Sequence, residues 1–321
     1  EISKDQVIAW LDECTDTSIS GHDLVSDFRN LWPYSYVQDY KFTKNNNLKW
    51  EGDGNKETVF AIKYSNKFAN WDYPYQKSNQ ICLYLGLRGQ NYLRTFPFGQ
   101  GWGFGTVNPK IWEDWFDDDI RKTGSIFNVT NRNEVVLYTF GADSYVQKKY
   151  IPINVYADGT HTVVHNYSME LYGNTVDNYM LNNTQDLVLI RFADVLLMAA
   201  ELNLGTAKAQ SFLDRVRARV NLPSVPATLD NIKAERRFEL AFEGVRFYDL
   251  LRWHDADRVL NENQKDIVIY RSRTETVTKT ITYRPETNGF LQIPLSEIEL
   301  SKGVLTANPG WGSEAAYQDI Y

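Results

Sequence analysis

Apolar residues recur at helical spacing in four stretches of the chain and at strand spacing in several shorter ones. Ser3 stands as a capping residue with Gln6 three positions on, and Val7, Ile8, Leu11 and Cys14 then line one face, which predicts an amino-terminal helix. Across residues 187–204 almost every position is apolar except a narrow stripe of Arg191, Asp194, Met198 and Glu201, the pattern of a helix enclosed by protein. Gly205 ends it and Thr206 caps the next helix, whose Ala209, Phe212, Leu213, Val216 and Val220 repeat at three- and four-residue intervals until Pro223. Thr228 caps a third helix, expected to run unbroken to about residue 253 with Phe238, Phe242, Val245 and Leu250 among its apolar positions.

Helical periodicity fades over residues 16–181. Gly, Asn, Pro and aromatic residues alternate there with short strand-like runs such as Thr58–Ile62 and Val135-Val136-Leu137-Tyr138. Ile267-Val268-Ile269-Tyr270 and the alternating run from Thr276 to Tyr283 predict an exposed hairpin. The expected fold class is therefore α+β and helix-rich: a loop-rich mixed region over residues 16–181 and a helical frame over residues 187–254. The helical pair joined at Gly205-Thr206 has the size of one tetratricopeptide-like unit, and no 34-residue period repeats it elsewhere.

With 321 residues and 43% hydrophobic content, the chain is long enough to bury a sizeable core. A formal charge of -7 and the lack of any Lys/Arg run argue against nucleic acid as a partner. No targeting signal is visible in the chain as given, and the apolar run at 187–204 carries three charges, which makes it a core helix rather than a membrane span. Cys14 and Cys82 leave their pairing open and are too few for a thiolate metal site.

Several clusters invite a catalytic or metal reading and fail it. Glu235, Glu239 and Glu243 resemble paired carboxylates, but Arg236, Arg246, Asp249 and Arg252 lie close enough along one helix for mutual neutralisation, so these residues are assigned to folding. Arg191, Asp194 and Glu201 need buried partners, which the third helix supplies. His161 and His165 flank a strand-like Thr-Val-Val, and Asp117, Asp118 and Asp119 read as a solvated helix end rather than a calcium loop. The alternating glycines of residues 99–105 fit neither phosphate-binding fingerprint, and no nucleophile elbow occurs. No catalytic residue, cofactor or metal is expected.

One string is specific. Glu235-Arg236, Glu239-Leu240, Phe242-Glu243-Gly244, Arg246, Asp249-Leu250 and Arg252-Trp253 together closely resemble the signature of the SusD/RagB family of outer-membrane nutrient-binding lipoproteins. The run from Ile190 to Glu201 looks like that family's preceding helix, and Ile293-Pro294 with Glu297-Ile298, then Asn308-Pro309-Gly310-Trp311, look like its ending. Asp194, Ala307 and Trp311 stand where the family usually writes Glu, Gln and Tyr. The resemblance implies one SusD-like domain over residues 1–321 whose usual amino-terminal helical half and lipid-anchored cysteine are not visible. It further implies oligosaccharide capture on the extracellular face of the outer membrane, for delivery to a TonB-dependent transporter of the SusC type, without catalysis.

Aromatic residues indicate where such a ligand would bind. Six of the nine tryptophans fall between Trp32 and Trp115, where core periodicity is weakest, so some should be exposed. A pyranose packs its C–H face on an aromatic ring while amides, carboxylates and guanidiniums bind its hydroxyls. Trp71, Tyr73 and Tyr75, gathered around Pro74, are the leading ligand-binding candidates, with Trp102 beside them. The rival readings are a glycoside-processing enzyme and a protein- or peptide-binding scaffold.

Overall fold

The computed structural model describes residues 2–66, 77–88, 95–128, 145–176, 178–263, 266–272 and 275–312. Two compact units divide the chain: residues 1–243 with 269–277, and residues 244–268 with 278–321. Trp71, Tyr73 and Tyr75 lie outside the described residues, as does the strand expected at Val135 to Tyr138.

In the first unit the helix Phe192–Leu202 is the central post. It packs against the helices Lys4–Thr15, Ala207–Arg219 and Leu229–Glu239. Phe192, Leu196, Leu197 and Ala200 from one helix interlock with Leu213, Val216 and Ile232 from two others, and all are buried. At about 1.5–3 kcal/mol for each fully buried large apolar side chain, this cluster is a main source of stability. The expected caps hold: Ser3 and Gln6 form a reciprocal capping box, Thr206 accepts from the Ala209 amide, and Thr228 accepts from the Asn231 amide.

Two expectations are corrected. The apolar stretch at 187–204 is not one helix, because Leu187–Arg191 forms a strand, β6, paired antiparallel with β1, Thr58–Ile62. A run with few polar positions has no period to read, so strand and helix look alike there. The third helix is also not continuous. It stops at Glu239, and the chain turns through left-handed backbone at Phe242 (φ 67°) and Gly244 (φ 82°) before the helix Arg246–Arg252. Gly244 accepts that conformation without a Cβ clash, which is why the signature writes glycine in a run that is otherwise helical.

The loop-rich region has a true core, built mainly from rings. Phe28, Trp32, Tyr34, Phe98, Tyr150 and Tyr167 are buried together beneath short helices and the small sheets β2–β3 (Ile126–Asn128 with Tyr145–Gln147) and β4–β5 (Asn154–Tyr156 with Val164–Asn166). Regular periodicity is weak because these residues enter the core from turns and 3-10 segments such as Phe28–Leu31 and Pro33–Tyr36.

The second unit is smaller. Leu250, Ala256 and Val259 form its core with Leu251, Leu260 and Tyr283 around them. The Asn308-Pro309-Gly310-Trp311 ending acts as a clasp. Trp311 Nε1 donates to the Phe290 carbonyl at 3.0 Å, Asn308 donates to Leu291, and the Arg284 guanidinium donates to the Gly310 carbonyl while lying over the Trp311 ring. The predicted hairpin forms as β7, Asp266–Ser272, and β8, Glu275–Thr280. No described helix is long and apolar enough to cross a membrane.

Candidate functional site

The signature charges are buried structure. Glu239, with 0% exposure, accepts from Arg121 and Arg191 at 3.0 Å each and also from Arg219. Arg191 reaches Glu57 at 2.5 Å and Glu243 at 2.7 Å, Arg217 and Arg121 both hold Glu235, and Lys149 holds Glu243 at 2.6 Å. Glu235, Glu239 and Glu243 are neutralised from other elements, with Arg191 among the partners as expected, and Arg252 pairs with Asp249 three positions away on its own helix at 2.9 Å. Arg236, the nearest basic neighbour, turns instead to Asp194 on the central helix at 2.6 Å.

Burial alone would raise the Glu239 carboxyl, but the guanidiniums of Arg219, Arg191 and Arg121 outweigh it and hold it well below the usual carboxylate range. Burial pulls Lys149 down to about 8, against the attraction of Glu243. Asp119 joins the same network. It is 2% exposed, caps the helix Ile120–Ser125 and grips Arg121, so the expected solvated acidic run is corrected at this residue. Glu239, locked by three guanidiniums and held as the carboxylate, is a structural counter-charge and not a proton donor.

An open cavity of about 950 Å³ belongs to the loop-rich region. Tyr36, Trp50, Tyr64 and Tyr172 line it, with Leu171 beside them. Buried Tyr167 braces this wall, its ring 5.7 Å from Trp50 edge-on, 6.0 Å from Tyr36 and 6.5 Å from Tyr172. Tyr36 and Trp50 meet each other edge-on at 6.3 Å. The short Pro33–Tyr36 turn fixes where Tyr36 projects, with Ser35 Oγ donating to the Trp32 and Arg29 carbonyls.

Polar groups edge the same cavity. The Tyr172 hydroxyl donates to Asp53, and Lys63 pairs with Asp186. Burial raises the Asp53 carboxyl, with Asp186 adding to the rise and the Tyr172 hydroxyl opposing it. Asp186 is raised by burial against the pull of Lys63. Lys49, Glu51, Ser65 and Asn66 complete the rim, so both charge signs are present and neither dominates. Asn66 is the last described residue before residues 67–76, the segment that carries Trp71, Tyr73 and Tyr75.

Trp102 is 38% exposed and does not line this cavity. It sits on a separate aromatic face, 5.0 Å from the Tyr84 ring, with Phe104 6.4 Å from Tyr84 on the other side. The alternating glycines explain the platform. Amides of Gly101, Trp102, Gly103 and Phe104 bond to the Leu87, Leu83, Gly86 and Tyr84 carbonyls, strapping the loop onto the end of the helix Gln80–Leu85. A Cβ on Gly101 would lie 2.2 Å from the Leu83 oxygen, so only glycine permits this approach. Trp32 and Trp115, by contrast, are core residues at 2% exposure.

Sequence reasoning passed over Tyr36, Trp50, Tyr64 and Tyr172. Their only signal is the general excess of aromatic residues, because the wall is assembled from segments far apart in the chain.

This architecture matches known proteins. The model of the SusD family covers residues 29–311, and the chain belongs to that family. A SusD-like protein P2 from Formosa agariphila is 26% identical over 227 residues, which are 65% of this chain and 42% of that protein. Among solved structures, a laminarin binding SusD-like protein is 27% identical with a TM-score of 0.69, covering 96% of this chain and 59% of that one. Surface glycan-binding protein A from Bacteroides thetaiotaomicron, in complex with laminarihexaose, is 22% identical with a TM-score of 0.70, covering 95% of this chain and 59% of that one. The chain thus spans about three fifths or less of the length of these relatives.

Proposed function

We propose that this chain binds a neutral glycan on the extracellular face of a bacterial outer membrane and passes it to a TonB-dependent transporter of the SusC type, without breaking a bond. The observation that carries the reading is the cavity walled by Tyr36, Trp50, Tyr64 and Tyr172 and rimmed by hydroxyl-binding groups of both charges. Tyr36, Trp50 and Tyr172, held in place by buried Tyr167, lose little entropy on binding a sugar. Ring stacking worth about 0.5–1.5 kcal/mol per sugar beyond area burial puts Kd in the range of roughly millimolar to tens of micromolar. Trp71, Tyr73 and Tyr75 come five to nine positions after the rim residue Asn66, which supports assigning them to the same ligand, whereas Trp102 with Tyr84 and Phe104 would offer a second contact for a long chain. Two contacts on one polymer add avidity.

A hydrolytic reading draws on Asp53 and Asp186, two carboxylates lining one cavity. Glycoside hydrolysis needs one raised acid and one ordinary carboxylate. Here both are raised, one bonded to Tyr172 and the other to Lys63. Affinity electrophoresis against laminarin, starch, xylan and mannan tests the proposal, with laminarin first because a 27%-identical relative binds it. Retardation by at least one polysaccharide without release of reducing ends is expected; reducing ends from a retarding polysaccharide would establish the hydrolytic reading instead.

A further inference from the structure

A smaller cavity of about 430 Å³ shares no lining residue with the aromatic one. One wall comes from the β4–β5 hairpin, through Asn154, Val164, His165 and Asn166, and the other from the turn carrying Asn178, Tyr179 and Asn182, with Gln100 and Pro152 between them. Five of these nine residues carry a side-chain amide, and none of the nine is acidic or a lysine or arginine.

Some of those amides are spent on the fold. Asn166 accepts from the Ser168 amide at 3.0 Å and donates to Asn183 at 3.3 Å, and Asn178 Oδ1 accepts from the Met180 amide. Others are not. Asn182 is 3% exposed, yet its Oδ1 has no hydrogen-bond partner among the described residues. A buried amide oxygen left unsatisfied costs about 1–3 kcal/mol, so its retention here calls for a partner from outside the chain. The Asn154 side chain also makes no hydrogen bond among the described residues, although its backbone amide is tied to Pro97.

We propose that this cleft is a separate subsite for one uncharged, hydroxyl-rich sugar unit. An amide offers a donor and an acceptor side by side, the complement of adjacent sugar hydroxyls; the nine lining residues include no carboxylate, lysine or arginine to favour an ionic ligand, and His165 is engaged with Glu170 at 3.2 Å. Pro152, Val164 and the Tyr179 ring supply the apolar surface that the C–H face of a sugar requires. The volume falls within the range of about 300–1,000 Å³ typical of small-molecule sites.

The test is saturation-transfer NMR on the intact chain with D-glucose, D-galactose and D-mannose at up to roughly 100 mM, well above the millimolar Kd that a few hydrogen bonds support. Transfer is read in the Trp50→Ala background, which removes a ring of the aromatic cavity, so that the two sites are separated. Transfer to at least one sugar is expected there, reduced at least about fivefold when Asn154→Ala or Asn182→Ala is added. Should the Asn182→Ala protein fail to fold, Asn154→Ala carries the test alone, because its side chain makes no hydrogen bond among the described residues. Absence of transfer from Trp50→Ala to all three sugars overturns the proposal, and so does transfer that stays at the Trp50→Ala level when Asn154→Ala is added. Polysaccharide retardation is read separately on the same variants, so failure of this subsite leaves the reading of the larger cavity standing.

Discussion

Replacing Glu239 with glutamine keeps its size and removes one charge from the centre of the buried network. In that network Glu57, Asp119, Glu235, Glu239 and Glu243 face Arg121, Lys149, Arg191, Arg217 and Arg219, five acids against five bases. Glu239→Gln leaves one cation uncompensated where no water reaches. Breaking a buried ion pair from one side costs about 3–5 kcal/mol, and for a large domain each kcal/mol moves Tm by roughly 2–4 °C. The expected fall in Tm at pH 7 is therefore roughly 6–20 °C, measured by thermal unfolding followed by circular dichroism. The sign of the pH dependence follows from the carboxyl being held below its unfolded value of 4.5. Its stabilising contribution is complete above that value and is lost as pH falls through the folded one, so the gap between variant and parent should close only in strong acid. A variant that unfolds within about 2 °C of the parent at pH 7 would refute the claim that Glu239 compensates buried charge.

Further outcomes follow from the same geometry. Asp53 is raised above 3.8 by burial, so the folded state holds its proton more tightly; its contribution is favourable below that value and is lost as pH rises through the folded one. Asp53→Asn should accordingly raise Tm at pH 7, with a gain that vanishes below about pH 4, and a lower Tm at pH 7 would contradict this. Gly101→Ala must lift the strap from the Leu83 carbonyl, costing about 1–3 kcal/mol in denaturant unfolding and shifting the emission of Trp102; unchanged stability and emission would count against the close approach. Thiol titration of the native protein should report one reactive cysteine, exposed Cys14, because burial pushes the Cys82 thiol up and closes it off; two rapid equivalents would contradict the packing.

How much of this was legible in the sequence varied with how local the cause was. The caps at Ser3, Thr206 and Thr228 depend on residues three positions apart, and all three formed as read. The break after Glu239 was written in Gly244, but helical spacing on both sides masked it. The signature carboxylates are structural as read, and their pairing with Arg191 was legible because a charge on a buried helix needs a partner, whereas Arg121 and Arg219 were not foreseen because they come from other elements. The cavity wall was least legible of all. Trp50 and Tyr172 are both braced by Tyr167, and nothing local ties Trp50 to either tyrosine. Trp102 is 38% exposed, but on a face apart from the larger cavity, a placement that the alternating glycines around it do not reveal.

The central claim is that the rings of the larger cavity grip a glycan. Isothermal titration of the parent, Trp50→Ala and Tyr36→Ala proteins with a polysaccharide that retards the parent tests it most directly. The loss of one stacked ring, about 0.5–1.5 kcal/mol plus the buried area, should weaken Kd by at least about threefold to tenfold in each variant, measured at a temperature where circular dichroism shows both folded, since both rings also pack against the core. Unchanged affinity in both folded variants would place the ligand elsewhere and contradict the account.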